Sequence, residues 1–195
     1  MKNIVKIAMA LVLVLSMSSC NYNSLVEKQQ KVDQQWAQVE NQYQRRSDLI
    51  PNLVNTVKGY SEHESSTLQA VTDARAGLSK AYNDANAVDN PQENIEKYQH
   101  AQSNLKGALD IYVNAVREAY PDLKANTNFM SLQAELAGTE NRISTERMRY
   151  TEAVQDYNTS IKKFPTNIYA GWFGFKEKPQ FKAEEGAQKA PKVEF

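Results

Sequence analysis

Residues 22–50, YNSLVEKQQKVDQQWAQVENQYQRRSDLI, decide the fold. Taken at alternating steps of three and four they give Tyr22, Leu25, Gln29, Val32, Trp36, Val39, Tyr43, Arg46 and Ile50. That spacing collects apolar or large residues on one side of a 3.6-residue helix, which predicts a long amphipathic helix. The same step continues through Ile50, Leu53, Val57, Tyr60, Glu64, Thr67, Val71, Ala74, Leu78, Ala81 and Ala85. A third stripe is Ile95, Tyr98, Gln102, Leu105, Leu109, Tyr112, Val116 and Ala119. A fourth is Phe129, Leu132, Leu136, Thr139, Ile143, Arg147, Tyr150, Val154, Tyr157, Ile161 and Phe164. No period-two alternation of strand length lies between them.

The breaks between stripes have their own chemistry. Ser47 and Asp48 can cap a helix and Pro51 is tolerated in a first turn, so helix one is expected to end near Ile50 and helix two to begin there. Asn83, Asn86, Asp89, Asn90 and Pro91 gather as stop signals, closing helix two near Val88. Pro121 and Asp122 open helix four in the same manner. Pro51-Asn52-Leu53 and Pro121-Asp122-Leu123 stand 70 residues apart, a short match that hints at a duplicated helical hairpin. Short connections force neighbours antiparallel, so the expected fold is all-α, an up-down-up-down four-helix bundle over residues 20–165. Its long helices would run roughly 40 to 60 Å and make a rod.

The N-terminus reads as an address. Lys2 and Lys6 precede an unbroken apolar run from Ile7 to Leu15, followed by Ser16-Met17-Ser18-Ser19 and Cys20. This is the layout of a secretory signal over residues 1–19. The apolar run is about half of the ~20 residues a spanning helix needs. The single Cys directly after it resembles a bacterial lipobox, with Met17 where an aliphatic residue such as Leu is usual, and predicts lipidation at Cys20. An uncleaved membrane anchor and a freely secreted chain are the alternative readings. Cleavage would remove Lys2 and Lys6, leaving 21 basic residues against 23 acidic ones. Lipid rather than charge would then hold the protein to a bilayer, since two acyl chains suffice for stable anchoring.

Composition narrows the rest. The 195 residues suit one domain, and 23 Lys and Arg balance 23 Asp and Glu, without the cationic excess that drives nonspecific nucleic-acid binding. One Cys and two His exclude a disulfide framework, a zinc finger and any multi-histidine metal site. His63-Glu64 lacks the second His of a zinc-peptidase motif, and neither His63 nor His100 has Glu three positions before it, as a di-metal bundle site requires. No Gly-x-Ser-x-Gly elbow or phosphate-cradling Gly loop occurs. No catalytic residue, metal site or cofactor is expected.

Polar groups interrupt the stripes. Arg46, Glu64, Glu140, Arg142 and Arg147 are candidates for an internal polar layer, which in a bundle more often sets register than performs catalysis. Most of the 10 Tyr fall on stripe positions, where an apolar ring packs inside with its hydroxyl at the rim. After Phe164-Pro165, the segment 166–180 carries Trp172, Phe173 and Phe175. These aromatics are expected either to plug the end of the bundle or to sit at a membrane interface. Residues 181–195 read as a polar tail.

The blocks Asn21-Tyr22-Asn23-Ser24-Leu25-Val26, Trp36, and Gln44-Arg45-Arg46-Ser47-Asp48-Leu49-Ile50-Pro51-Asn52-Leu53-Val54, then Thr56-Val57-Lys58-Gly59-Tyr60 and His63-Glu64, resemble the LemA family. Glu140-Asn141-Arg142-Ile143, Tyr157-Asn158 and Phe164-Pro165 continue the likeness. The resemblance implies a membrane-tethered, non-cytoplasmic antiparallel helical bundle. Family members more often carry an uncleaved transmembrane segment where this chain has Cys20. Together these readings predict a non-enzymatic protein anchored by lipid to the cell membrane or outer membrane, facing the periplasm or the exterior. It would present a helical face, rich in its 32 Gln and Asn, to an envelope protein. The alternatives are an accessory to an envelope hydrolase that uses the polar cluster, and a small-molecule binder between helices. Cys20→Ala is expected to abolish palmitate labelling and to leave the precursor unprocessed. Unchanged membrane association at unchanged size would instead identify a spanning anchor.

Overall fold

A computed structural model of the chain describes residues 2–58, 65–85 and 91–182. Their regular structure is all helical: α1 Lys2–Lys58, α2 Ser65–Ala85, α3 Pro91–Ala119, a 3-10 turn Pro121–Ala125, α4 Thr127–Lys162 and the short α5 Thr166–Tyr169.

The break expected at Pro51 does not occur. α1 is one helix of 57 residues with Pro51 inside it. A proline in a helix interior costs about 3 kcal/mol, because it lacks an N–H and its ring presses on the carbonyl four residues back. Here that carbonyl belongs to Ser47, and Pro51 itself is exposed. Its neighbours Ile50, Leu53 and Val57 are 3%, 0% and 2% exposed. Burying each contributes roughly 1.5–3 kcal/mol, and only a continuous helix keeps all three on one side. Burial therefore outweighs the proline. α2 starts at Ser65, so Tyr60, His63 and Glu64 lie outside the described residues, as does the expected end near Val88.

The later breaks follow their local chemistry. Pro91 occupies the first position of α3, where a missing N–H is harmless. Pro121 opens the 3-10 turn rather than α4. α4 starts behind Asn126, whose Oδ1 accepts the N–H of Phe129 at 3.0 Å, the bond of an N-cap residue.

Contacts divide the chain into two compact units, Met1–Gln44 with Glu140–Lys178, and Arg45–Thr139 with Pro179–Phe195. In the first unit α1 and α4 run antiparallel. Lys28 pairs with Asp156 at 2.7 Å, Trp36 stacks against Tyr150 with ring centroids 5.3 Å apart, and Arg142 donates to Gln42 at 3.2 Å. Leu25, Val32, Val39, Ile143, Val154 and Tyr157 are buried, at the helical spacing that the stripes predicted. In the second unit one core takes Ile50, Leu53 and Val57 from α1 and Val71 from α2. α3 adds Leu105, Leu109, Tyr112 and Val116, the turn adds Leu123 and α4 adds Phe129.

Past α5 the first unit closes on a glycine. Gly174 has φ +79°, the left-handed region that a side chain resists. Its N–H reaches the carbonyl of Gly171 at 3.2 Å, and that of Phe175 reaches the carbonyl of Ala170 at 3.0 Å. These are the two bonds of a Schellman ending, and the buried pair Ala170 and Phe175 completes it. The chain then runs extended, and Asn158 holds Lys178 by donating to its carbonyl at 2.8 Å and accepting its N–H at 2.9 Å.

Burial, and secondly the negative charge of Asp33, push the hydroxyls of Tyr150 and Tyr157 above the ordinary phenol range. A group whose folded pKa is raised adds stability below its unfolded value of about 10 and loses it as pH climbs above that. The urea midpoint is therefore expected to hold steady to about pH 9 and fall beyond about pH 10, and to fall less in Tyr150→Phe. Gly174→Ala is expected to lower stability by about 1 kcal/mol in the same assay, because alanine must be forced to positive φ.

Candidate functional site

The first unit carries a concentration of exposed apolar side chains. Phe164 is 81% exposed, Ile168 55%, Trp172 82% and Phe173 61%. They lie on α5 and the turns either side of it, where the chain must leave the helix at Pro165 and reverse at Gly174. Tyr22, on α1, anchors the group: Phe173 and Phe175 meet its ring edge-on at centroid distances of 5.3 and 5.5 Å. Tyr169 meets Phe173 at 6.1 Å. The structure thus separates the three aromatics singled out from the sequence. Phe175, 9% exposed, is tucked in, while Trp172 and Phe173 face outward. Lys162, Lys163 and Lys176 flank them in sequence, with Lys162 paired to Glu177 at 2.7 Å.

α1 runs unbroken from the apolar stretch Ile7–Leu15 into Tyr22. At about 1.5 Å per residue, Tyr22 stands roughly 10 Å along the axis from Leu15. Cys20 is in the same helix, two positions before the tyrosine that holds the aromatic group. Among the described residues no helix is long and apolar enough to cross a membrane.

The expected polar layer is distributed. Arg46 belongs to the second unit and Glu140, Arg142 and Arg147 to the first, whereas Glu64 lies outside the described residues. Arg46 is 3% exposed and donates from Nη2 to the carbonyl of Gln102 at 3.1 Å and to its Oε1. Its neighbour Arg45 is on the outside, bound to Glu135 at 2.7 Å. Glu140, Arg142 and Arg147 are half-buried. A buried guanidinium that donates to two oxygens of Gln102 joins α1 to α3. Thr139, fully buried, turns its hydroxyl onto the Glu135 carbonyl of its own helix at 2.8 Å.

The tyrosines Tyr43, Tyr98, Tyr112, Tyr150 and Tyr157 are buried as packing residues. The cleft between α2 and α3, 390 Å³ in volume, is lined by Asp73, Gly77, Lys97, His100 and Asn104, all exposed, so no buried polar group defines a ligand there. Among the described residues no group of three or more His, Cys, Asp or Glu is placed to hold a metal ion. The exposure of Phe164 was not legible in the sequence, because it sits at the end of the fourth helical stripe. Nor was the grip of Gln92, Gln99 and Asn158 on main chain, because nothing marks them out among 32 Gln and Asn.

Known proteins resemble this chain over most of its length. It is 24% identical over 148 residues to Protein LemA of Metamycoplasma hominis, covering 76% of this chain and 63% of that protein. It is 28% identical over 174 residues to each of Magnetosome protein MamQ 1 and MamQ 2 of Paramagnetospirillum magneticum, covering 82% of this chain and 64% of either. The chain therefore spans a little under two thirds of the length of these relatives. None of their names denotes a reaction. The LemA family model matches residues 35–195, and on that match, foreshadowed by the Arg45–Val54 block, the chain belongs to the LemA family.

Proposed function

We propose that this protein is a non-enzymatic envelope protein, lipid-anchored at Cys20, which rests its exposed aromatics on the bilayer and uses its helices as an interaction module. The observation that carries the reading is the cluster of Trp172 and Phe173 beside Tyr22, two residues past the anchor. An acyl chain on Cys20 brings Tyr22 to the membrane surface, and Phe173 follows because its ring packs on Tyr22. Tryptophan and phenylalanine partition favourably to that depth, and each adds up to about 1.5–3 kcal/mol when its apolar surface leaves water. Lys162, Lys163 and Lys176 suit the headgroup layer. In this reading the helices form the up-down-up-down bundle described by the stripes. Antiparallel pairing of α1 with α4 and the core shared by four helices support that arrangement.

The burial of Arg46 against two oxygens of Gln102 favours a structural polar interior over an accessory hydrolytic one. The partner is then an envelope or membrane protein, and the compartment is the periplasmic or outer face of the membrane. The test uses the acylated protein in vesicles whose lipids carry bromine near the headgroup. Trp172 emission is expected to be quenched, and Trp172→Phe should remove that quenching while the Trp36 emission that remains is unaffected. Equal quenching in wild type and Trp172→Phe would place the aromatic cluster off the membrane.

A further inference from the structure

Side-chain amides on α3 hold the main chain of the extended segment that follows Pro179. Gln92 donates from Nε2 to the carbonyl of Gln180 at 3.2 Å and accepts the Gln180 N–H at Oε1, also at 3.2 Å. Gln99 repeats the device on Lys182, donating to its carbonyl at 2.6 Å and accepting its N–H at 3.3 Å. The two glutamines are seven positions apart, two turns along one face of the helix. Gln180 and Lys182 are two apart, the repeat at which an extended chain turns N–H and C=O toward the same edge. The helix rises roughly 10 Å over its seven residues and the extended chain about 7 Å over its two, a difference that the flexible glutamines take up.

Glu96 lies between the clamps. Its carboxylate accepts the Lys182 ammonium at 2.6 Å and Gln92 Nε2 at 2.7 Å. Those two bonds hold its carboxyl below the ordinary range. Gln92 thus uses one amide hydrogen on Glu96 and the other on the peptide carbonyl, which fixes the orientation of its amide.

We propose that this face of α3 is a binding site for an extended basic peptide of another protein. The site reads that peptide through the N–H and C=O of alternate residues and through a Lys or Arg opposite Glu96. Residues 180–182 occupy the site as an internal stand-in. These amide clamps grip main chain, the mode by which strand addition captures peptides of varied sequence. The hold on the internal segment is modest, because each neutral hydrogen bond contributes little net of its exchange with water. The Lys182–Glu96 pair is also solvent-exposed, at 65% and 37%. Gln99 is only 6% exposed. With residues 180–182 in place both halves of its amide are paired, so an incoming main chain replaces two bonds at once. The proposal rests on α3 and residues 179–182 alone and supplies a partner class for the interaction role, independently of the membrane contact.

The test opens the full chain with Gln180→Pro, which removes the N–H given to Gln92, and Lys182→Glu, which repels Glu96. The probe is a fluorescein-labelled peptide of the sequence of residues 176–182, followed by anisotropy. It is expected to bind the opened chain at least about tenfold more tightly than the unsubstituted chain. That gain should vanish when Gln92→Leu and Gln99→Leu are added, or when the peptide nitrogens matching Gln180 and Lys182 are methylated. A peptide with every side chain but the final lysine cut to alanine should bind within about threefold of the original. A folded, opened chain that binds no tighter than the unsubstituted one, binding that survives methylation, or loss of the alanine peptide would overturn the proposal. The last result would mark a latch fitted to this chain alone. A second measurement needs no substitution: excess unlabelled peptide should speed hydrogen exchange at the Gln180 and Lys182 amides of the unsubstituted chain. Unchanged exchange at saturating peptide would also overturn the proposal.

Discussion

The burial of Ile50, Leu53 and Val57 is the constraint on which the second unit depends. Those three side chains keep α1 helical through Pro51, a residue that by local chemistry should end it. A chain that turned at Pro51 would rotate Leu53 and Val57 away from the side that carries Ile50 and strand them in water. The same core then draws Val71, four residues of α3, Leu123 and Phe129 around them. Leu123 shows the reach of this constraint, since a five-residue 3-10 turn carries it to complete burial. Local propensity proposes the elements here, and area removed from water decides where they stop.

Amide and guanidinium groups make several of the polar contacts between distant parts of the chain. Arg46 is buried against two oxygens of Gln102, and Gln92, Gln99 and Asn158 each grip main chain with both halves of their amides. A neutral amide has one donor group and one acceptor on the same plane, so it can match the paired N–H and C=O of an extended residue. A charged side chain offers only one of the two. At Gln92, Gln99 and Asn158 these contacts therefore carry no desolvation cost of buried charge. The exposed aromatics of the first unit are the complement: apolar groups that no element of the described chain covers, held in place by Tyr22 and by the reversal at Gly174.

Much of the fold was legible because helical spacing survives any rearrangement of connections. Along the stripes Val32, Leu105 and Val154 are buried where steps of three and four put them. Boundaries were less legible. Ser47, Asp48 and Pro51 spell a helix start as well as any tripartite signal can, and the energy that overrides it comes from residues far along the chain. Asn126, the cap in fact used, stands among other polar residues with nothing to distinguish it. Of the candidate sites, the aromatic segment was visible from its composition. That Phe175 turns inward while Trp172 and Phe173 turn out depends on a positive φ at Gly174, which composition does not reveal.

By itself the sequence determined that the chain is helical and that it carries the motif blocks of the LemA family. Those properties follow from periodicity and from contiguous blocks, and each is a property of residues near one another in sequence. Only the tertiary structure decided that Pro51 lies inside a helix, that Arg46 meets Gln102, and that Gln92 and Gln99 close on Gln180 and Lys182. Each of these joins groups far apart in the chain, or sets a local preference against burial elsewhere. The balance is settled by the apolar area and hydrogen bonds of the packed state, which one-dimensional spacing does not contain.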